Sequence, residues 1–100
     1  MDLIIESLDD NKLYVKYTGK IYIENSNDIL TSITNELGNK KELIFDFTDV
    51  PYISSAGLRM LHSLYKVLKE QNASMYIKNA NKEVRNVFEI SGFLAFFSLI

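Results

Sequence analysis

The sequence predicts an α/β domain built on a mixed, mostly parallel β-sheet with an N-terminal β-hairpin and about three helices. The first observation is that strand-like and helix-like segments alternate from residue 19 onward, which is typical of parallel strands joined by right-handed crossovers. The second is that two strand-like segments precede them with no helix between, which predicts a hairpin and an antiparallel edge. The third is the length of 100 residues, the usual size of one domain, so we take residues 1–100 as a single domain.

The hairpin is predicted from residues 2–8 and 12–18, which polar residues 9–11 separate. In the second segment Leu13, Val15 and Tyr17 recur at the strand period of two, so one face of the hairpin is expected to be apolar. Gly19 ends this segment.

The first helix is predicted at residues 26–37, after a brief strand-like segment at residues 21–23. Asn25 or Ser26 can cap its start, and Gly38 stands where a left-handed residue ends many helices. Apolar residues inside it recur three and four positions apart, which predicts a face lying on the sheet: Ile29, Leu30, Ile33 and Leu37.

The second half of the chain continues the alternation. A compact apolar run at residues 43–47 is typical of a central strand covered on both faces. Residues 58–68 have the periodicity of an amphipathic helix, and residues 74–78 return to strand character. Asn81 can cap a third helix, which Ser91 and Gly92 end.

Composition excludes several classes of function. The net charge of −2 leaves no broad basic surface, so we expect no direct nucleic acid partner. The absence of Cys and the presence of a single His exclude disulfides, thiolate nucleophiles and the usual zinc sites. We therefore expect no metal, no cofactor and no enzymatic activity.

The two ends of the chain bear on localisation. Residues 1–6 are acidic where a secretory signal is basic, and their apolar stretch is too short for a signal peptide. The longest apolar stretch, residues 93–100, is far shorter than the ~20 residues of a membrane helix, and we predict that it forms a core strand. We expect a cytoplasmic protein with no membrane partner.

The most informative segment is residues 46–59, which reads as the end of a strand, a loop and the first turn of a helix. Functional groups of open α/β sheets gather at the carboxyl ends of strands, where helix starts present unpaired N–H groups. Ser54 is typical of an N-cap residue. Ser55 lies one residue further on, where the helix dipole and free amides favour an anion such as a phosphate.

This segment resembles the signature loop and helix of the STAS domain, specifically of bacterial anti-sigma factor antagonists. Residues 87–93 are similar to the third helix of that family and its exit, and the resemblance extends over nearly the whole chain. It implies a STAS-like fold. The residues that carry it are Asp49, Val50, Tyr52, Ile53, Ser54, Ser55, Ala56, Gly57, Leu58, Arg59 and Leu61.

The resemblance implies a partner switch. In such antagonists the unmodified protein binds an anti-sigma factor, which is also a serine kinase, and phosphorylation of a serine at this helix start abolishes that binding. By position this serine is Ser55, with Ser54 as second choice. The kinase brings the ATP and the catalysis, and a serine phosphatase is implied as a further partner.

The resemblance also implies which residues bind the partner. Family members often carry acids at the positions of Lys20 and Tyr22, in a region that contacts the kinase, so these two residues bear on which partner is bound. The implied partner-binding residues are Tyr52, Ile53, Ser54, Ser55, Ala56, Gly57 and Arg59.

Other interpretations remain open. The chain could be a STAS scaffold that is not phosphorylated, or a sensor of small anions or nucleotides. A serine hydrolase is disfavoured because His62 follows Ser55 by two helical turns, about 10 Å along the axis. Asp46 and Asp49 could help to hold a metal ion or to position a phosphate-transfer partner, but two carboxylates three residues apart are common in loops, so we interpret them as structural. Arg59 either stays solvated or pairs with a phosphate on Ser55.

Overall fold

The computed structural model describes residues 2–100, which form three α-helices and a five-stranded mixed sheet. The strands lie in chain order; β1 pairs with β2 antiparallel and all other neighbours pair parallel. The predicted fold class is confirmed. The elements are β1 (Leu3–Ser7), β2 (Lys12–Thr18), α1 (Ile23–Leu37), β3 (Glu42–Asp49), α2 (Ser55–Glu70), β4 (Ser74–Lys78), α3 (Lys82–Ser91), a 3₁₀ turn (Phe93–Ala95) and β5 (Ser98–Leu99).

All three helices lie on one face of the sheet. Because the strand order never reverses, successive right-handed crossovers place every connecting helix on the same side. Val15, Phe45 and Ile77 are in register across the inner face and are fully buried. They form a single core with helix residues such as Ile33 and Leu64.

The expectation that residues 43–47 are covered on both faces is wrong. Ile44 points away from the helices and is only partly buried. Since no helix of residues 2–100 covers this side, the sheet has an outer face. Beside Ile44, this face carries polar and aromatic side chains: Glu6, Lys12, Tyr14, Lys16, Asp46, Tyr76 and Lys78.

Helix α1 begins earlier than predicted. It starts at Ile23, and Asn25 lies in its first turn rather than at its N-cap. Oδ1 of Asn25 accepts a hydrogen bond from the Tyr22 N–H at 2.9 Å, so the helix starts from Tyr22. Of the strand predicted at residues 21–23, only Ile21 makes a β-bridge, to Ile53.

The caps of α2 and α3 agree with the sequence prediction. Oγ of Ser54 accepts a hydrogen bond from the Gly57 N–H at 3.2 Å, and Oδ1 of Asn81 accepts one from the Val84 N–H at 2.8 Å. Gly92 ends α3 with a φ of 77°, in the left-handed region that glycine favours. Both helix starts are therefore held by side chains that the sequence identifies.

The C-terminal tail is mostly not the core strand that we predicted. Residues Phe93–Ala95 form a 3₁₀ turn and only Ser98–Leu99 pair with β4. Phe97 is buried in the core, whereas Leu94 and Ile100 are exposed. The apolar composition of the tail reflects packing of single side chains rather than a buried strand.

Within residues 2–100, no helix combines the length and apolar character that a membrane span requires.

Candidate functional site

The site is built from two loops that backbone hydrogen bonds join at the carboxyl ends of β2 and β3. The Gly19 N–H donates to the Asp49 carbonyl and the Ile21 N–H to the Tyr52 carbonyl, both at 3.0 Å. The Ser54 N–H donates back to the Ile21 carbonyl at 2.9 Å. The start of α2 is therefore attached to the β2–α1 loop as well as to its own strand.

Gly57 allows the start of α2 to approach this frame closely. A Cβ atom on Gly57 would meet side-chain atoms of both Ile21 and Ile53, the second at 2.5 Å. These two residues form the β-bridge between the loops, and both are buried. A glycine is required here by contact with neighbours, not by an unusual φ.

Ser54 and Ser55 have different surroundings. The Ser54 hydroxyl is engaged in the cap and its carbonyl accepts from the Leu58 N–H at 2.9 Å. Ser55 is the first residue of α2 and is exposed, and among residues 2–100 its hydroxyl has no hydrogen-bond partner. The N–H groups of Ser55 and Ala56 are also without an acceptor in this part of the chain, so the helix start can bind an anion.

The other predicted site residues form two groups: exposed residues that a partner can contact, and buried residues that hold them in place. Tyr52, with 51% of its area exposed, lies shortly before Ser55 in the chain, and Arg59 lies about one helical turn after it; both are on the surface. Ile53 and Gly57 are buried, and Ala56 is partly buried. Ile53 and Gly57 therefore shape the site from below, while Tyr52, Ser55 and Arg59 are available for contact.

An open cavity of about 750 Å³ adjoins the two loops, and Tyr17, Lys20, Tyr22, Asn25 and Tyr52 are among the residues that line it. Nδ2 of Asn25 donates to the Tyr17 hydroxyl at 2.8 Å and to the Lys20 carbonyl at 2.7 Å. Sequence reasoning missed this network because it treated Asn25 only as a local cap. The contact between Asn25 and Tyr17 is a tertiary contact, since Tyr17 lies on β2, and the residues next to Asn25 in the sequence give no sign of it.

Asp46 and Asp49 have structural partners. Asp46 is buried and accepts hydrogen bonds from the Tyr14 hydroxyl and from the N–H and hydroxyl of Thr48. Asp49 pairs with Lys16 at 3.2 Å. In the part of the chain that the structure describes, no group of three or more Asp, Glu or His side chains could hold a metal ion. These contacts favour the structural interpretation of both carboxylates.

The contact between Tyr14 and Asp46 shifts the ionisation of both groups. Burial raises the pKa of Asp46, but hydrogen bonds from Thr48 and Tyr14, together with the charge of Lys16, outweigh it and hold that pKa below its ordinary value. The hydrogen bond to Asp46, with burial and the nearby negative charges, raises the pKa of Tyr14 to about 12. Tyr14 is therefore a hydrogen-bond donor at neutral pH.

His62 packs in an aromatic cluster and not at the serines. Its ring centroid lies 5.0 Å from that of Phe96, 6.2 Å from that of Tyr65 and 6.3 Å from that of Phe93. His62 is therefore a packing residue, and this arrangement gives no support to a Ser–His pair.

A comparison with family models decides the assignment, because the model of the STAS domain matches residues 3–100. The chain belongs to the STAS domain family. The match covers both loops of the site, the three helices and the whole sheet, so the resemblance seen in residues 49–61 extends along the fold.

One curated relative of this STAS domain is the Bordetella bronchiseptica (strain ATCC BAA-588 / NCTC 13252 / RB50) protein named "Putative anti-sigma factor antagonist BtrV". The two are 38% identical over 58 residues, which are 58% of this chain and 50% of that protein. This STAS domain thus spans 50% of the length of the curated relative that it matches.

Solved structures share the fold of this STAS domain. An anti-sigma factor antagonist from Mycobacterium paratuberculosis superposes with a TM-score of 0.83 at 19% identity, covering 97% of this chain and 82% of that one. The Bacillus cell fate determinant SpoIIAA in its phosphorylated form superposes with a TM-score of 0.76 at 16% identity, covering 98% and 90%. At these identities the likeness establishes the fold.

Proposed function

We propose that this STAS domain is an anti-sigma factor antagonist that binds an anti-sigma factor with serine kinase activity and is released when Ser55 is phosphorylated. The observation that carries the choice of residue is the contrast between the two serines. The Ser54 hydroxyl is engaged in capping α2, whereas the Ser55 hydroxyl is exposed. Ser54 remains the second choice. The name of the Bordetella relative supports the antagonist role.

The position of Ser55 suits a switch that leaves the fold intact. A phosphoserine adds about 1.5 to 2 negative charges, which the dipole and free N–H groups of a helix start stabilise. The same charge buried against a partner loses hydration and repels any acidic neighbour. Because about 1.4 kcal/mol changes an affinity tenfold, release needs no large conformational change.

The proposed partner surface comprises the exposed residues around Ser55 and the buried residues that support them. Tyr52 and Arg59 provide direct contacts, and Ala56 allows close approach of the partner to the helix start. Ile53 and Gly57 hold the loop and helix in the shape that the partner binds. Ser54 contributes by capping α2.

In this proposal the chain is a substrate and not an enzyme. The kinase supplies ATP and transfers the phosphoryl group to the Ser55 hydroxyl, and a serine phosphatase restores the binding form. The chain needs no cofactor, and the proposed site of action is the cytoplasm, where sigma factors act.

The test is phosphorylation of the purified protein by the anti-sigma factor kinase of the same organism with ATP. Intact mass and peptide mapping are expected to find a single phosphate on Ser55, and Ser55→Ala is expected to accept none. Ser54→Ala is the matched control and is expected to be phosphorylated. A phosphate on Ser54 alone would overturn the choice of residue, and no phosphate with any serine kinase of that organism would overturn the switch.

A second candidate is a STAS module that is not phosphorylated, acting as a scaffold or as a sensor of nucleotides or small anions. The open cavity beside Tyr22 and Tyr52 favours it, because aromatic side chains stack on bases. A sensor is expected to melt at a higher temperature with ADP, GTP or inorganic phosphate. An unchanged melting temperature with all three would exclude the sensor.

A further inference from the structure

Strand β1 is a free edge of the sheet. It is first in the strand order and pairs only with β2, along all five of its residues and with no shift of register. The strand at the opposite edge, β5, has only two residues. Proline, a bulge or a covering segment often blocks such an edge. β1 contains no proline and no bulge, and within residues 2–100 no strand lies beyond it.

The backbone groups of Leu3, Ile5 and Ser7 face outward at this edge. The Thr18 N–H of β2 donates to the Asp2 carbonyl at 2.9 Å. In an antiparallel pair, residues that are bonded to the partner strand alternate with residues that are not. The even-numbered residues of β1 therefore bond to β2, and the N–H and carbonyl groups of the odd-numbered residues point away from it. Within residues 2–100, neither the loops nor the helices supply a partner for these groups.

A groove with apolar side chains lies beside this edge. Leu3 and Ile5 are on the inner face of β1 and are only partly buried. Together with Ser32, Asn35 and Glu36 of α1, they line an open cavity of about 430 Å³. Side chains of an added strand alternate between the two faces of the sheet, so every second one would point to the side of this groove.

The surroundings of the edge are acidic. Four exposed acidic side chains lie on β1 and α1, and neither element contains Lys or Arg: Glu6, Glu24, Asp28 and Glu36. None of the four forms an ion pair within residues 2–100. On β2, Lys12 pairs with Glu42 at 3.8 Å and Lys16 with an acid at 3.2 Å, both on the side of β3. These lysines therefore do not neutralise the edge.

The charge distribution selects the occupant of the edge. Residues 1–37 carry seven Asp or Glu and three Lys, whereas residues 38–100 carry six Asp or Glu and eight Lys or Arg. A second copy of β1 would bring the same acidic side chains against each other, and like charges opposed across a strand pair destabilise it. A strand that carries Lys or Arg has the complementary charge.

We propose that β1 receives an extended basic segment of a partner protein as a sixth strand of the sheet. Backbone hydrogen bonds to Leu3, Ile5 and Ser7 hold this segment, and its apolar side chains pack on the groove. Its Lys or Arg side chains complement Glu6 on the outer face and Glu36 at the rim of the groove. The inference does not depend on the proposed function, because the edge belongs to β1 and not to the start of α2.

The test is binding of a synthetic octapeptide of alternating Lys and Val to the purified protein, followed by amide hydrogen exchange. We expect this peptide to slow exchange of the Leu3, Ile5 and Ser7 amides about tenfold or more. An octapeptide of alternating Lys and Pro has the same charge but lacks half of the N–H groups that a strand needs. An octapeptide of alternating Glu and Val has the opposite charge. Neither control peptide is expected to protect these amides.

Charge reversal at exposed positions tests the role of the acidic side chains. Glu6→Lys and Glu36→Lys are each expected to weaken binding of the Lys–Val peptide about fivefold or more. Glu89→Lys makes the same change at an exposed position of α3 and is expected to alter the affinity by less than about twofold. Melting temperatures verify that all three variants are folded. Equal affinities of wild type, Glu6→Lys and Glu36→Lys would overturn the proposal.

The remaining outcomes distinguish other occupants and sites. Equal binding of the Lys–Pro peptide would show attraction by charge alone, and protection by the Glu–Val peptide would show that charge does not select the strand; either result overturns the proposal. If the protein alone dimerises and protects the same amides as its concentration rises, the occupant is a second copy and the proposal is overturned. Ser55→Asp is expected to bind the peptide like the wild type, and loss of binding would place the peptide at the start of α2 and overturn the edge site.

Discussion

Gly57 packs against Ile53 so closely that a Cβ atom at position 57 would lie 2.5 Å from Cγ1 of Ile53. The contact joins the first turn of α2 to the loop that precedes it, and a second contact with Ile21 joins it to the β2–α1 loop. The position of Ser55 is thus set by buried packing two residues away. This contact couples the stability of the site to the shape of the proposed partner surface.

We predict that Gly57→Ala destabilises the protein. The added methyl group must displace Ile53 or Ile21, both buried, at a cost of about 1–3 kcal/mol in the free energy of unfolding. Urea unfolding measures this change. Ser63→Ala, an exposed substitution in the same helix, is the control and is expected to change it by less than about 0.5 kcal/mol. Equal stability of Gly57→Ala and wild type would mean that the helix start is not tightly packed.

We predict that substitutions of the two serines differ in their effect on stability. Ser54→Ala removes the side-chain cap of α2 and is expected to lower the free energy of unfolding by about 1 kcal/mol. Ser55→Ala removes an exposed hydroxyl and is expected to change it by less than about 0.5 kcal/mol. Chemical unfolding of both variants distinguishes them, and a larger loss for Ser55→Ala would contradict the assigned cap.

We predict that Tyr14 makes stability fall at alkaline pH. Its pKa is raised to about 12, so the folded state retains a proton that the unfolded state loses near pH 10. The stabilisation is fully present below about pH 10 and is lost as the pH rises through 12. Tyr14→Phe is expected to flatten the fall in stability over this range, as measured by urea unfolding at each pH. Tyr76→Phe, on the same face, is expected to keep it, and an identical fall in all three proteins would be inconsistent with the shifted pKa.

We predict that Asn25→Ala loosens the β2–α1 loop. The change removes the donors to Tyr17 and Lys20 and the acceptor of the Tyr22 N–H, at a cost of about 1–3 kcal/mol. Hydrogen exchange of the Tyr22 amide is expected to accelerate. Asn27→Ala, which changes an exposed side chain in the same helix, serves as the control. Unchanged exchange at Tyr22 would show that the loop does not depend on Asn25.

The elements that the sequence predicted well are those governed by neighbouring residues. The caps Ser54 and Asn81 accept hydrogen bonds from residues three positions along the chain, and Gly92 adopts the left-handed conformation expected of a helix end. The predicted start of α1 was wrong because the side chain of Asn25 is directed by Tyr17, a residue on another element.

The local sequence of this protein determined the order of its strands and helices, two of its helix caps and the serine pair at the start of α2. These features depend on hydrogen bonds and periodicities within a few residues, which the sequence displays directly. The tertiary structure alone decided that the sheet has an open outer face and that Lys20, Tyr22 and Tyr52 share a cavity. It also decided that the tail forms a 3₁₀ turn and a two-residue strand instead of a long strand. The reason is that each of these depends on which strands become neighbours and on which loops meet at their ends, and only the packed chain specifies those contacts.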